Sequence, residues 1–281
     1  MSTWNSTGTP SPASAPSNGT NSRPKFLSTP STVPLIHVCG EIALKVDEFL
    51  RYEPDNEDEA TAAVRKSTKQ HTRESLKVIG DALRRYTNDE LSISFNGGKD
   101  CLVMLMLLLA SMHYHKGEFA PQRIHTIYIH SEHAFPEVDK FVNECVSAYW
   151  LDLIRLPSPM KQAFQQFLDA KPHVKAIMVG TRRTDPNGKY LTYFDETDHG
   201  WPKFMRVHPV IDWHYADVWL FLRAIQVPYC ILYDMGYTSL GGVTDTFRNP
   251  ALASGEEGDH KTFRPAYSLL DDDMERLGRS K

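Results

Sequence analysis

Ser92-Ile93-Ser94-Phe95-Asn96-Gly97-Gly98-Lys99-Asp100 is the stretch of this chain in which residue type and spacing speak most directly of chemistry. An apolar, β-prone run enters two glycines and passes at once into Cys101 to Ala110, an apolar segment that suits a buried helix. Glycines let the main chain approach an oxyanion closely, and the open N–H groups of a helix start, helped by the helix dipole, are donors aimed at phosphate. Lys99 adds a point charge, the Asn96 amide can donate to a phosphate oxygen, and Asp100 is placed to hold magnesium against a triphosphate. The plainer alternative is a tight strand-to-helix turn in which Asp100 only caps the helix. The loop is not a Walker A motif, which needs G-x-x-x-x-G-K-[ST]; here Asp100 and Cys101 follow the lysine, so cleavage elsewhere than at the β/γ bond is suggested.

Further along, Arg182 and Arg183 follow the β-prone run Val174 to Val179, where two guanidinium groups can grip phosphate oxygens. Asp185 cannot be a phosphate ligand; it either contacts a second substrate or belongs to an Asp-Pro turn. Trp201, between Gly200 and Pro202, is either a stacking platform or a core residue, whereas Trp213 and Trp219 read as core. Arg276 and Arg279 are spaced i, i+3 and share one side of a helix; on spacing alone they favour the helix dipole at its end. His208 and His214 suit no single helical face and no further ligand cluster joins them, so hydrogen bonding is expected rather than metal.

These residues need a scaffold. Apolar positions recur at helical spacing from Ile42 to Tyr86, interrupted at Pro54-Asp55-Asn56, so two helices are expected before the first strand. Leu91 to Phe95, Ile124 to His130, Leu151 to Leu156 and Val174 to Val179 read as strands with helices between them. That alternation implies an α/β fold: a doubly wound, mostly parallel sheet with helices on both faces, which binds ligands at the carboxyl ends of its strands. A helix from Tyr215 to Gln226, long loops beyond it, a surface loop at Ser254 to His260 and a short final helix starting at Asp271-Asp272-Asp273 complete the expectation.

The chain has 281 residues, 41% of them hydrophobic, enough for one core over residues 35–281. Residues 1–34 are rich in Ser, Thr, Pro, Asn and Gly and read as a disordered tail; its sequons at Asn5 and Asn18 are ascribed to composition, since no signal peptide precedes them. A formal charge of -4 gives no broad positive field, which disfavours nucleic acid as a partner. Cys39, Cys101, Cys145 and Cys230 form no CxxC pair, and no apolar run reaches the roughly 18 residues of a membrane span, so a soluble protein of a reducing compartment is expected. The tail carries only Arg23 and Lys25 as basic residues, which favours the cytoplasm over mitochondria. No protein partner is specified.

Ser-Phe-Asn-Gly-Gly-Lys-Asp-Cys resembles the pyrophosphate loop of adenine-nucleotide α-hydrolases, which break the α/β bond of ATP and include phosphoadenylylsulfate reductases and eukaryotic FMN adenylyltransferases (FAD synthetases). Phe135-Pro136-Glu137 is similar to a segment carried by both. The segments Gly180 to Pro186, Arg206 to Trp213 and Tyr237 to Gly241 resemble the FMN adenylyltransferases, in their single-domain fungal form, and the likeness runs from Leu91 onward. The resemblance implies that FMN attacks the α-phosphorus of ATP to give FAD and pyrophosphate with Mg2+. It also implies catalytic roles for Asn96, Lys99, Asp100 and Arg279, phosphate contacts from Asn96, Gly97, Gly98, Lys99, Arg182 and Arg183, flavin contacts from Asp185, Trp201, Arg276 and Arg279, and Asp100 as the metal ligand. Adenine is expected near His130, at the ends of the first two strands. The competing readings are a thiol-dependent reductase, which needs a reactive cysteine where only the buried-looking Cys230 is offered, and a flavin or nucleotide sensor without chemistry.

Overall fold

The computed structural model describes residues 23–26, 33–115, 122–131, 133–157, 159–254 and 262–280. Helix α1 (Leu35–Arg51) buries Leu35, Val38, Ile42, Val46 and Phe49, a stripe with helical spacing. Helix α2 (Glu59–Arg85) starts where the Asp58 carboxylate accepts from Thr61 N at 2.9 Å, and ends on Arg84 and Arg85, as the helix dipole favours. The interruption between them contains Pro54 and Asn56.

The sheet that follows has six strands in the order β3-β2-β1-β4-β6-β5, formed by β1 (Leu91–Ser94), β2 (Ile124–His130), β3 (Leu151–Pro157), β4 (Ala176–Met178), β5 (Phe194–Glu196) and β6 (Met205–Val207). Helices α3 (Lys99–Tyr114), α4 (Pro136–Ala148) and α5 (Met160–Ala170) carry the chain from β1 to β2, from β2 to β3 and from β3 to β4, and these four strands pair in parallel. Side chains alternate across the sheet. Ala176 and Met178 join the large core with α1 to α4, while Ile177 faces Ile127, Phe164, Phe167 and Phe204 in a smaller cluster under α5. Helix α3 is buried from Leu102 to Met112 because the sheet, α1 and α2 surround it, which explains its lack of a polar face.

Several elements depart from the sequence expectation. The strand expected at Val174 to Val179 is confined to Ala176–Met178, and a hairpin of two three-residue strands, β5 and β6, was not anticipated; β5 runs antiparallel at the edge. Helix α6 (Tyr215–Ala224) stops two residues before the Gln226 expected, and Gln226 adopts φ 50° beyond its end. The final short helix forms as a 3₁₀ turn, Asp272–Gly278, capped by Asp271.

Within the segment expected to be disordered, Arg23–Phe26 lie against the domain. The Phe26 ring sits 5.8 Å from that of Tyr149 and 6.3 Å from that of Phe141, while Arg23 pairs with Asp234 at 3.1 Å and covers the Tyr229 ring. Asn5, Asn18, most of the tail and most of the loop 254–260 lie outside the described residues. No helix among the described residues is long and apolar enough to cross a membrane.

Candidate active site

The strand order reverses at β1: the chain moves outward to β2 and β3, then returns to place β4 on the other side. Ile93 pairs with Thr126 and also with Met178, so the loops after β1 and β4 leave the same edge side by side, at the switch point where such sheets hold ligands. Gly180 makes that proximity possible. A side chain there would stand 2.8 Å from Cys101 Sγ and 2.9 Å from Cys101 N.

The first loop turns at Gly97, whose φ of 74° suits glycine and whose bare Cα lies against Val142. Asn96 is exposed, and its Oδ1 accepts from Gly98 N at 2.9 Å, which leaves Nδ2 as the donor. The first amide of α3, Lys99 N, donates to the Tyr233 hydroxyl at 2.9 Å. Two of the loop amides are thus engaged within the protein.

Lys99 and Arg182 do not project into solvent. Lys99 is 2% exposed, with Nζ 3.0 Å from Asp100 Oδ2 and 2.5 Å from Glu275 Oε1. Arg182 is fully buried; its Nε lies 2.9 Å from Asp100 Oδ1, its Nη2 donates to Glu275 Oε2, and its Nη1 lies 3.6 Å from Asp272. Burial opposes charge on Asp100, yet Arg182 and Lys99 outweigh it and hold the carboxyl below its usual range. Burial likewise disfavours the Lys99 ammonium, but Asp100 and Glu275 keep it charged and raise its pKa. Two cations and two carboxylates therefore alternate beneath the loop as one ionised, desolvated network.

The other expected residues fall at different places. Asp185 accepts from Arg182 N at 2.9 Å and lies 3.9 Å from Arg276; burial first, and then the charge of Asp100, raise its pKa. Arg183 is separated from Arg182: it pairs with Asp212 and donates to Leu191 O at 2.9 Å, closing the loop that follows β4. Arg279 pairs with Asp245 at 3.3 Å and crowds Gly241, and its Nε is buried without a hydrogen-bond partner. Trp201 lies in the β5–β6 connection, its ring 6.2 Å from that of Phe164 on α5. His208 is buried against Thr192 O, and His214 bonds Asp272 at 2.7 Å, so both serve hydrogen bonds. Cys230 is fully buried, which pushes its thiol up to about 11, the wrong direction for a nucleophile.

Sequence reasoning did not single out Glu275, Tyr233, Thr238 or Asn249. Thr238 donates to Glu275 O at 2.6 Å, and Asn249 donates to Thr238 Oγ1 and Met274 O at 2.8 Å each, so these residues hold the last turn over the site. The acids at Asp271 to Asp273 signalled a helix start, but nothing beside Glu275 in the sequence pointed to its partners.

A parallel sheet with a glycine loop at its switch point and buried charges behind it defines an enzyme-like α/β nucleotide site, and the family model "Phosphoadenosine phosphosulfate reductase domain" matches residues 90–173 and 158–248. More narrowly, a probable FAD synthase of Schizosaccharomyces pombe is 45% identical over 212 residues, covering 73% of this chain and 77% of that protein. A probable FAD synthase of Caenorhabditis elegans is 38% identical, with only 40% of its length matched. Among solved structures, the FMN adenylyltransferase of Candida glabrata in complex with FMN and an ATP analogue superposes with a TM-score of 0.81 at 27% identity, covering 89% of this chain and 98% of that one. This chain belongs to the FAD synthase family.

Proposed function

We propose that the chain is an FMN adenylyltransferase: the terminal phosphate of FMN attacks the α-phosphorus of ATP in line, FAD forms and pyrophosphate leaves. The observation that carries this reading is the glycine loop Asn96–Asp100 set at the switch point opposite the turn that bears Arg276 and Arg279. A phosphate monoester, with its second pKa at about 6, is largely dianionic at neutral pH and needs no protein base. The task left to the protein is to let two polyanions meet.

Asn96 Nδ2 and the Gly97 amide are suited to the ATP phosphates, Gly98 lets the chain approach them while its amide holds Asn96, and Lys99 and Arg182 lie behind the loop. Arg279 and Arg276 are assigned to the incoming FMN phosphate, Asp185 and Trp201 to the flavin. Arg183 shapes the loop beside them. Asp100 is the residue that would hold a magnesium ion arriving with the triphosphate: it is the hard oxygen donor of the phosphate loop, and its two oxygens lie against Arg182 and Lys99. Magnesium so held would neutralise charge on the phosphates. Residues 35–281 are read as one catalytic domain, and the free thiols of Cys39, Cys101, Cys145 and Cys230 support residence in the cytoplasm, which cell fractionation would check.

The test is formation of FAD and pyrophosphate from ATP and FMN with Mg2+. Asp100→Asn is the informative variant: it removes the counter-charge of Lys99 and Arg182 as Asp100→Ala would, but it keeps the size and hydrogen-bonding atoms of the side chain, and melting temperature is read beside activity. Asp100→Asn is expected to lower turnover on the order of 100-fold. A near-normal rate removes Asp100 from the metal role. Reduction of a sulfonucleotide by a thiol donor, or binding of both substrates without turnover, redirects the assignment.

A further inference from the structure

Glu275 is 5% exposed, and its two oxygens are shared between two cations, Oε1 with Lys99 and Oε2 with Arg182. Lys99 opens α3 after β1, Arg182 follows β4, and Glu275 comes 176 residues after Lys99. One carboxylate therefore fixes the relative position of three segments. Neutrality alone would need only one of these contacts; the bridge sets geometry as well.

The turn that carries Glu275 has 3₁₀ geometry, with about three residues per turn, so residues three apart share a side. Glu275 and Gly278 are buried together, while Arg276 and Leu277 are exposed and Arg279 follows Arg276 around the same side. Gly278 has no room for a side chain against Phe247 O. Inserting Glu275 between Lys99 and Arg182 thus determines where Arg276 and Arg279 emerge, close to Asp185 and Asp245 respectively.

We propose that Glu275 is a positioning residue: by bridging Lys99 and Arg182 it registers the arginine-bearing turn against the phosphate loop, and its loss falls on the FMN side of the site. This rests on the adenylyltransferase reading above. Glu275→Asp keeps the charge but is one methylene too short to span both cations, whereas Glu275→Gln keeps the length and loses the charge.

The full-length wild type and both variants are compared by melting temperature, by ATP affinity, and by FMN affinity from flavin fluorescence with a non-hydrolysable ATP analogue present. KM for each substrate is measured in parallel. Glu275→Asp, which keeps the charge, is expected to lose less melting temperature than Glu275→Gln, to weaken FMN binding about tenfold and to change ATP affinity less than about threefold; Glu275→Gln weakens FMN binding further. Affinities for FMN and ATP that fall together in step with melting temperature would mark Glu275 as merely structural and overturn the proposal. So would unchanged FMN affinity in both variants, or failure of both to fold. A wild type that binds no FMN defeats the functional reading too, whereas a wild type that binds FMN alongside variants that bind it equally defeats only the role of Glu275.

Discussion

Gly180 and Cys101 meet where the loop after β4 crosses the first turn of α3, and the contact is to backbone as well as sulfur. Helix α3 is buried from Leu102 to Met112 and has little room to shift, so Gly180→Ala should cost about 1–3 kcal/mol, as overpacked sites do. Urea denaturation reads that loss, and an ATP titration should show weakened binding, since the displaced Cys101 atoms follow directly on the phosphate loop. Stability equal to the wild type would show that the loop yields. At this scale the sequence was legible where chemistry is contiguous: Asn96 to Asp100 declare a strand, a turn and a helix start within a few residues. Glu275 was illegible because its meaning lies in Lys99, far away in sequence, and a lone Glu among acids carries no sign of its partner. Arg182 and Arg183 look equivalent on paper, yet the turn after β4 buries one and leaves the other half-exposed.

Helices α2 and α6 meet through polar groups rather than through apolar area alone. Asp217 accepts from Thr68 at 2.8 Å and from His214 N at 3.0 Å and pairs with His71 at 2.8 Å, while Ser75 links Trp213 to Pro209 O. Burial disfavours the His71 imidazolium, but the bond and charge of Asp217 prevail and raise its pKa above 6.5. Burial also opposes ionisation of Asp217, and His71 with the surrounding donors nonetheless lowers its pKa below 3.8. The histidine contribution is complete below about pH 6.5 and disappears as pH rises through the higher folded value; the aspartate contribution is present above about pH 3.8 and disappears as pH falls through the lower folded value. Melting temperature should therefore decline as pH rises above about 6.5, and His71→Gln should flatten that decline; an unchanged slope in the variant would assign it to other groups. Elements were read well where periodicity is long, as in α1 to α3. The β5–β6 hairpin escaped because three-residue strands such as Phe194–Glu196 and Met205–Val207 show less than two periods of alternation.

Across the whole molecule, Arg23–Phe26 tie a distant piece of chain to α4 and to the segment 229–234 that supplies Tyr233 to the start of α3. Phe26→Ala should lower stability by about 1–2 kcal/mol, the value of partly burying such a ring, with the loss read from chemical denaturation. No measurable change would show that this clasp contributes nothing in solution. The composition of the tail, dominated by Ser, Thr and Pro, hid Phe26, an aromatic residue with a place to go.

The arrangement of Lys99, Arg182 and Glu275 also has a consequence for biosynthesis. A ribosome delivers both cations long before it delivers the acid that balances them, so a nascent sheet must wait with surplus positive charge trapped in its interior. A polypeptide interrupted ahead of Asp272 would possess nearly all its apolar packing and still be electrostatically unfinished, a natural target for chaperones and proteases.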